Sequence, residues 1–224
     1  MVVMAKEPNP GSVKTRLCPP LEPDQAAAVH EAFVADTVAR LVGRTAWRVA
    51  LAVTPERGAP RLERLARRWG VSVVPQGGGD LGSRMARVSS EILANGARVA
   101  VLLGADTPDL PLVRIEQAVA AAAAGSIALG PARDGGYYLL ALGVPAPELF
   151  DLDVAWGSRA VFAATLERAR TAALPVTVLP PWQDVDEAAA LAELSRRLDE
   201  GDTGLESTRN VLEKLGFLAR QAGE

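Results

Sequence analysis

"RVAVLLGADTPDLP", residues 98–111, changes character half-way along. Val99 to Leu103 present no polar face, so the segment does not suit a strand with one wet side. Such a run is expected of a strand covered by helices on both faces of its sheet. The apolar part stops at Gly104, and Asp106 follows two residues later. In open α/β sheets ligands bind outside the carboxyl ends of the strands. A carboxylate just past such an end either organises a turn with Thr107 or holds a hard cation such as Mg2+.

The same strand signal recurs on both sides. "MVVMAK" (1–6), "WRVALAV" (47–53), "VSVVP" (71–75), "SIALGP" (126–131), "YYLLAL" (137–142) and "VTVLP" (176–180) read as further strands. Helical patterns lie between most of them. Leu81, Met85, Val88 and Ile92 share one helical face; Leu62, Leu65 and Trp69 share another, which stops at Gly70. Residues 158–173 and 187–200 read likewise, and a terminal helix is expected over about 205–222. Alternating β and α elements place the chain in the α/β class: a three-layer α/β/α sandwich on a mostly parallel mixed sheet. At 224 residues it fits a single domain spanning 1–224.

Composition narrows the function classes. Hydrophobic residues make up 49% of the chain, which allows a core and argues against disorder. Aromatic residues are only 4%, so packing rests on Ala, Val and Leu. The net charge is −3 and the cations are scattered, whereas a nucleic-acid partner needs a concentrated positive face. Cys18 is the single cysteine, which excludes an intrachain disulfide and suits a reducing compartment. One Cys and one His assemble no zinc site. No stretch reaches the ~20 apolar residues of a membrane span, and the apolar run at the start is too short for a signal peptide. The expected setting is cytoplasmic, with no nucleic-acid or membrane partner; a homodimer is compatible with this composition.

Four more stretches carry chemistry-bearing residues. In "EPNPGSVKTRL" (7–17), Gly11 lets the backbone approach a ligand, and its neighbouring N–H groups can surround phosphate oxygens. Lys14 adds a point charge and Arg16 a planar fork. The loop is neither a P-loop nor a dinucleotide fingerprint, and an ordinary solvated turn competes with the phosphate cradle. "VPQGGGDLGSRM" (74–85) sets three glycines before a helix N-terminus, a place for a base or an anion, with Asp80 as a plain N-cap otherwise. In "GPARDGGYYLLAL" (130–142), Asp134-Gly135-Gly136 is a hairpin or turn signal; the alternative has Asp134 lining a pocket and the glycines making room for substrate. In "PPWQDVDEAAAL" (180–191), Asp184 and Asp186 flank Val185, so both carboxylates point the same way in an extended segment. They form a second acidic set opposite Asp106, or Asp186 merely caps the next helix. His30 reads as a surface or packing histidine, and nothing marks Cys18 as activated.

Together these stretches resemble a known family. "AKEPNPGSVKTRL", "GDLGSRM", "GADTPDLP", "GPARDGGYYLLAL", "AWGS" and "DVD" are similar to the DUF2064 family, a branch of the GT-A nucleotide-diphospho-sugar transferase superfamily, from about residue 1 to about residue 190. More distantly the chain resembles small nucleotidyltransferases such as 2-phospho-lactate guanylyltransferase and the molybdenum-cofactor guanylyltransferases. The resemblance implies a GT-A-like fold, a nucleotide (an NTP or an NDP-sugar) and a divalent metal, Mg2+ or Mn2+. It implies that Lys6, Gly11, Lys14, Thr15, Arg16, Gln76, Gly79 and Gly82 bind the nucleotide, with Lys14, Arg16 and Asp106 as the catalytic set. Asp106, Asp184 and Asp186 would hold metal, and Asp134, Gly135 and Gly136 would face the acceptor.

GT-A glycosyltransferases that use a metal typically carry Asp-x-Asp; here the equivalent is Asp106-Thr107-Pro108-Asp109. An early cationic loop suits an NTP whose departing pyrophosphate needs positive charge beside it. The expected reaction is therefore nucleotidyl transfer to a small phosphate- or phosphonate-bearing acceptor. Glycosyl transfer from a nucleotide sugar and a catalytically silent nucleotide-binding module are the alternatives.

Overall fold

The computed structural model describes residues 1–201 and 204–218. All seven expected strands form: β1 (Val2–Lys6), β2 (Ala50–Thr54), β3 (Ser72–Pro75), β4 (Ala100–Gly104), β5 (Ile127–Pro131), β6 (Tyr137–Leu142) and β7 (Val176–Val178). They make one sheet in the order β3-β2-β1-β4-β6-β5-β7. β3, β2, β1 and β4 run parallel, β6 lies antiparallel between β4 and β5, and β7 is parallel to β5. β2 begins at Ala50 instead of Trp47, because Trp47 N donates to Arg44 O in a preceding turn (3.0 Å).

Side chains alternate across the sheet with the period of two that a strand imposes. Val3, Leu51, Val101, Leu103 and Leu139 pack under α1 (Pro23–Val42), α2 (Pro60–Trp69) and α4 (Leu112–Ala123). Val2, Ala52, Leu102, Leu140 and Leu142 pack under α3 (Leu81–Ala94) and α5 (Val161–Thr171). The three-layer sandwich follows from these two apolar faces. α1 is apolar on two sides: Val34, Val38 and Leu41 meet the sheet, while Val29 and Phe33 meet α6 (Ala188–Asp199) and α7 (Glu206–Lys214). This explains why its hydrophobic pattern wraps most of the way round.

α2 ends at Gly70, which adopts φ +63°, as its sequence suggested. α7 ends at Lys214, earlier than expected, with Gly216 at φ +77° just beyond; residues 219–222 of the expected helix lie outside the described residues. The start of α7 has no side-chain cap of its own. Asp36 of α1 supplies one, accepting from Ser207 N at 2.9 Å and Thr208 N at 2.7 Å. Asp36 is 3% exposed, so both bonds are shielded from water.

Replacing Asp36 with Ala strands two buried N–H groups and costs ~2 kcal/mol. Tm is expected to fall by roughly 5 °C for a chain of this size. Amide exchange of residues 206–214 should accelerate more than exchange in β4. Unchanged exchange in α7 would show that the helix is held by its apolar contacts alone.

Candidate active site

Beyond the carboxyl ends of β1 and β4 the chain encloses a cleft of about 490 Å3. Its first wall is the loop after β1. Glu7, buried at the strand end, accepts from Arg61 N (3.0 Å) and Leu62 N (3.3 Å) and so ties the loop to the first turn of α2. The loop then rises through Gly11 (φ +73°) to Lys14, which takes a left-handed φ of +48°. That conformation is strained for a residue with a Cβ. Three acceptors hold it: Asp106 Oδ1 at 2.5 Å, Asp186 Oδ1 at 2.7 Å and Val185 O at 2.8 Å from Lys14 Nζ. An ammonium has three protons, and each has an acceptor here. The Phe33 ring lies below, 5.1 Å from Nζ. Burial alone would lower the Lys14 pKa, but the two carboxylates outweigh it and raise it. Burial likewise opposes ionisation of Asp106, and Lys14 reverses that, holding its carboxyl below the ordinary range.

The second wall is the extended segment after β7. Trp182 N donates to Pro131 O (3.1 Å) and Arg133 N to Trp182 O (3.3 Å), so the segment continues the sheet beside β5. Val185 N then donates to Asp106 O at 2.8 Å. With Val185 buried, its neighbours Asp184 and Asp186 both turn into the cleft, as their spacing suggested. The helix after them begins with Glu187 in the capping position, so Asp186 is not an N-cap. Asp134 comes from the β5–β6 turn, where its Oδ1 accepts from Gly136 N at 2.8 Å.

Asp134, Asp184 and Asp186 each present a carboxylate oxygen, all within 4.8 Å of one another. Three hard oxygen donors suit Mg2+ or Mn2+. Asp184 is 8% exposed and its Oδ1 has no partner. Burial, then the charge of Asp134 and the other carboxylates, pushes its pKa up to about 6. A cation would relieve that repulsion. Asp134, expected on the acceptor side, stands beside Asp184 and Asp186, while Asp106 and Asp186 share Lys14. Asp109 stays outside, pairing with Arg197 on α6 (2.5 Å) and accepting from Trp182 Nε1 (3.3 Å).

Of the residues singled out from sequence, Lys6, Lys14, Gln76, Asp106, Asp134, Gly136, Asp184 and Asp186 line the cleft. Gly11, Thr15, Arg16, Gly79, Gly82 and Gly135 do not. A short 3-10 turn over Thr15–Leu17 buries Leu17 in the core and thereby turns Arg16 to solvent. Gln76 is 3% exposed, and its Nε2 donates to Ala5 O (3.1 Å) and Ala52 O (2.8 Å), bonding it to the ends of β1 and β2. Asp80 does cap α3, accepting from Ser83 N at 2.8 Å.

Two glycines have packing roles. A Cβ on Gly82 would lie 2.2 Å from the Trp156 ring, and one on Gly135 would lie 2.2 Å from Arg159 O. Both make room for the 155–159 segment rather than for a substrate. His30, Thr54, Arg84 and Trp156 also line the cleft and were not picked out from sequence as site residues. His30 is buried, so the surface alternative for it fails; its Nε2 donates to Lys6 O at 3.0 Å, and burial lowers its pKa. In sequence it was masked by a helix that is apolar on two sides. Trp156 was visible only as part of the "AWGS" motif.

Comparison with known proteins bears on the family and the fold. The family model described as "Uncharacterized protein conserved in bacteria (DUF2064)" matches residues 37–158. A crystal structure from Desulfovibrio desulfuricans G20, described as a "putative nucleotide-diphospho-sugar transferase", is 31% identical with a TM-score of 0.84, covering 96% of this chain and 94% of that one. A cytidylyltransferase from Leptospira borgpetersenii serovar Hardjo-bovis shares the fold at 15% identity and TM-score 0.56, covering 100% of this chain and 97% of its own. So does CMP:2-keto-3-deoxy-manno-octonic acid synthetase complexed with CTP, at 14% identity and TM-score 0.53, covering 89% and 97%. No curated protein matches the sequence. Among the described residues, no helix is long and apolar enough to cross a membrane.

A cation bound by the acidic group must displace the proton that Asp184 carries below pH about 6. Mn2+ affinity should therefore fall roughly tenfold per pH unit below that point and level off above it. Electron paramagnetic resonance titrations between pH 5 and 8 check this. A flat profile would remove Asp184 from the ligand set.

Proposed function

The chain belongs to the DUF2064 family of bacterial proteins, and on that premise we propose that it is a metal-dependent nucleotidyltransferase. It transfers a nucleotidyl group from an NTP to a small acceptor bearing a phosphate or phosphonate. The observation that carries the proposal is one buried cation, Lys14, set among four carboxylates that open on one cleft. Phosphoryl-type transfer needs positioning and charge neutralisation more than a covalent catalyst, so no activated Ser, Cys or His is required.

An oxygen of the acceptor forms a bond to the α-phosphorus. The bond from that phosphorus to the α–β bridging oxygen breaks, and the electron pair leaves on pyrophosphate. A divalent cation on Asp134, Asp184 and Asp186 would neutralise phosphate charge where this bond changes hands. Lys14 keeps Asp106 and Asp186 in register and holds a positive charge beside the polyphosphate. Lys6, whose Nζ donates to Ser12 O at 2.9 Å, adds a second cation at the rim. The Gln76 end of the glycine junction, which lines the cleft, receives the base. The fold shared with a cytidylyltransferase and with a CTP-bound synthetase supports placing an NTP here.

Glycosyl transfer from a nucleotide sugar is the second reading, and the Desulfovibrio relative favours it. Asp109 counts against it: an Asp-x-Asp pair would need that carboxylate near the metal, and it is bound to Arg197. Incubation with each NTP and a panel of phosphorylated acceptors should release pyrophosphate in the presence of Mg2+. NDP released from an NDP-sugar without pyrophosphate would hand the site to the second reading. Lys14→Ala should lower kcat/KM by ~100-fold or more. Arg16→Ala, at an exposed and screened position, should change it only a few-fold.

A further inference from the structure

Trp156, Gly157 and Ser158, in the Ala155–Ser158 segment, take no part in the chemistry above, yet they line the same cleft. Trp156 is held there from three sides. Its nitrogen edge lies on the backbone of Gly82, in the first turn of α3, with no space for a Cβ between them. Phe150 stacks behind it at 6.5 Å and 29° between planes, and Tyr137 meets it edge-on at 6.5 Å and 87°. The following residue pair is pinned to the Asp134 turn: Gly135 packs directly on the Arg159 backbone, and Phe162 N donates to Gly135 O at 3.0 Å. The indole is therefore a rigid wall, positioned by the same turn that supplies one of the acidic ligands.

Its surroundings in the cleft are mainly apolar, with the buried, unpartnered Ser158 hydroxyl two residues along and Arg84 of α3 as polar groups. Leu81, Met85, Tyr137 and Val161 line this end with it. Tyr137 directs its hydroxyl to Met85 Sδ (3.8 Å), and so offers a ligand mainly ring surface. Leu81 is 45% exposed and extends the apolar wall to the mouth of the cleft. An aromatic platform backed by two further rings suits an apolar or ring-shaped body, with the Ser158 hydroxyl free to make one hydrogen bond beside it. The same cleft carries the four aspartates and the two lysines, with Asp134 on the turn against which this segment packs.

We propose that this corner is the acceptor subsite and that the acceptor is an amphiphilic phosphomonoester or phosphonate. Its anionic, reacting head lies at the carboxylate end, and its apolar ring or chain lies on Trp156 between Leu81 and Val161. This rests on the nucleotidyl-transfer reading for the identity of the head group, while the apolar preference stands on the corner alone. It also assigns Trp156 as a specificity-determining residue that touches substrate.

Phenyl phosphate and methyl phosphate share a head and differ in body, so they separate the two contributions. Isothermal titration into the full chain with saturating Mg2+ should show phenyl phosphate binding roughly tenfold more tightly, the worth of one buried apolar contact. Trp156→Ala should bring the two ligands within about twofold of each other, and Trp156→Phe should restore part of the difference. Leu81→Ser, at an exposed position that does not threaten folding, should reduce the preference without abolishing it. NTP affinity serves as the fold control and should change less than phenyl phosphate affinity in every variant.

Equal affinity for the two ligands in the unmodified chain would overturn the proposal. So would a Trp156→Ala variant that loses NTP and keeps its phenyl preference, since that outcome gives the corner to the base. If no NTP yields pyrophosphate but the phenyl preference stands, the nucleotidyl reading fails and the apolar subsite survives. If pyrophosphate is released and the preference is absent, the reverse holds.

Discussion

Lys14 is buried, and everything at the working end of this fold is arranged around its charge. Taking an ammonium out of water costs several kcal/mol, and only close, well-aligned anionic partners offset that. Here the partners come from three separate places: the β1 loop carries the lysine, the end of β4 carries Asp106, and the strand-like segment after β7 carries Asp186 and the Val185 carbonyl. Two of them are more than 170 residues away in sequence. The contact thus fastens the last third of the chain to the first strand, and the Val185–Asp106 backbone bond runs alongside it. α6 and α7, which follow that segment, are then delivered to the outer face of α1, where Asp36 waits for the start of α7.

The same contact decides which carboxylates are left for a metal. Asp106 is 44% open to the cleft by side-chain exposure, yet its Oδ1 is committed to Lys14. Asp184 has no cationic partner, and its raised pKa reports the strain of an acid crowded by others. Asp134 reaches the group because the β5–β6 hairpin is irregular: the register shifts between Gly130 and Pro131, and the Trp182 segment pairs with the far side of that bend. The irregular hairpin thus brings Asp134 beside Asp184 and Asp186, while Lys14 holds Asp106 and Asp186 together.

This explains what could be read in advance. The strands were legible because burial on both faces demands apolar runs, and that demand is local: "RVAVLLG" needs no knowledge of its neighbours. Asp106 and Asp134 were legible because polar residues just past a strand end lie at the carboxyl edge, and Lys14, Asp184 and Asp186 as charged residues in longer segments that follow β1 and β7. Their partnerships were not legible. Whether Asp106 meets a metal or a lysine depends on a contact 92 residues away, as 106 minus 14 gives, and no periodicity records it. Arg16 is turned away from the cleft for a related reason: a 3-10 turn that buries Leu17 decides where Arg16 points, and a two-residue offset reverses the side. Gly82 and Gly135 look like room for a ligand in one dimension; in three they are room for Trp156 and for the chain after it.

Charge balance ties the cleft to its chemistry without reference to any relative. Its lining holds three cationic side chains, Lys6, Lys14 and Arg84, against four aspartates, 106, 134, 184 and 186. Lys14 is already shared between two of those carboxylates, so the surplus felt by an incoming anion is negative. A nucleoside triphosphate brings several more negative charges to the same small volume. Inside a cleft with low-dielectric walls such repulsion is far stronger than in water. The polyphosphate can therefore be held only together with cations that the carboxylates attract. In the proposed reaction, binding of metal and nucleotide would be mutually reinforcing, since each relieves the charge that opposes the other, and linkage makes that coupling equal in both directions. The proposed metal dependence thus rests on the arrangement of Lys14 and its four acids, and the proposed acceptor subsite rests on Trp156.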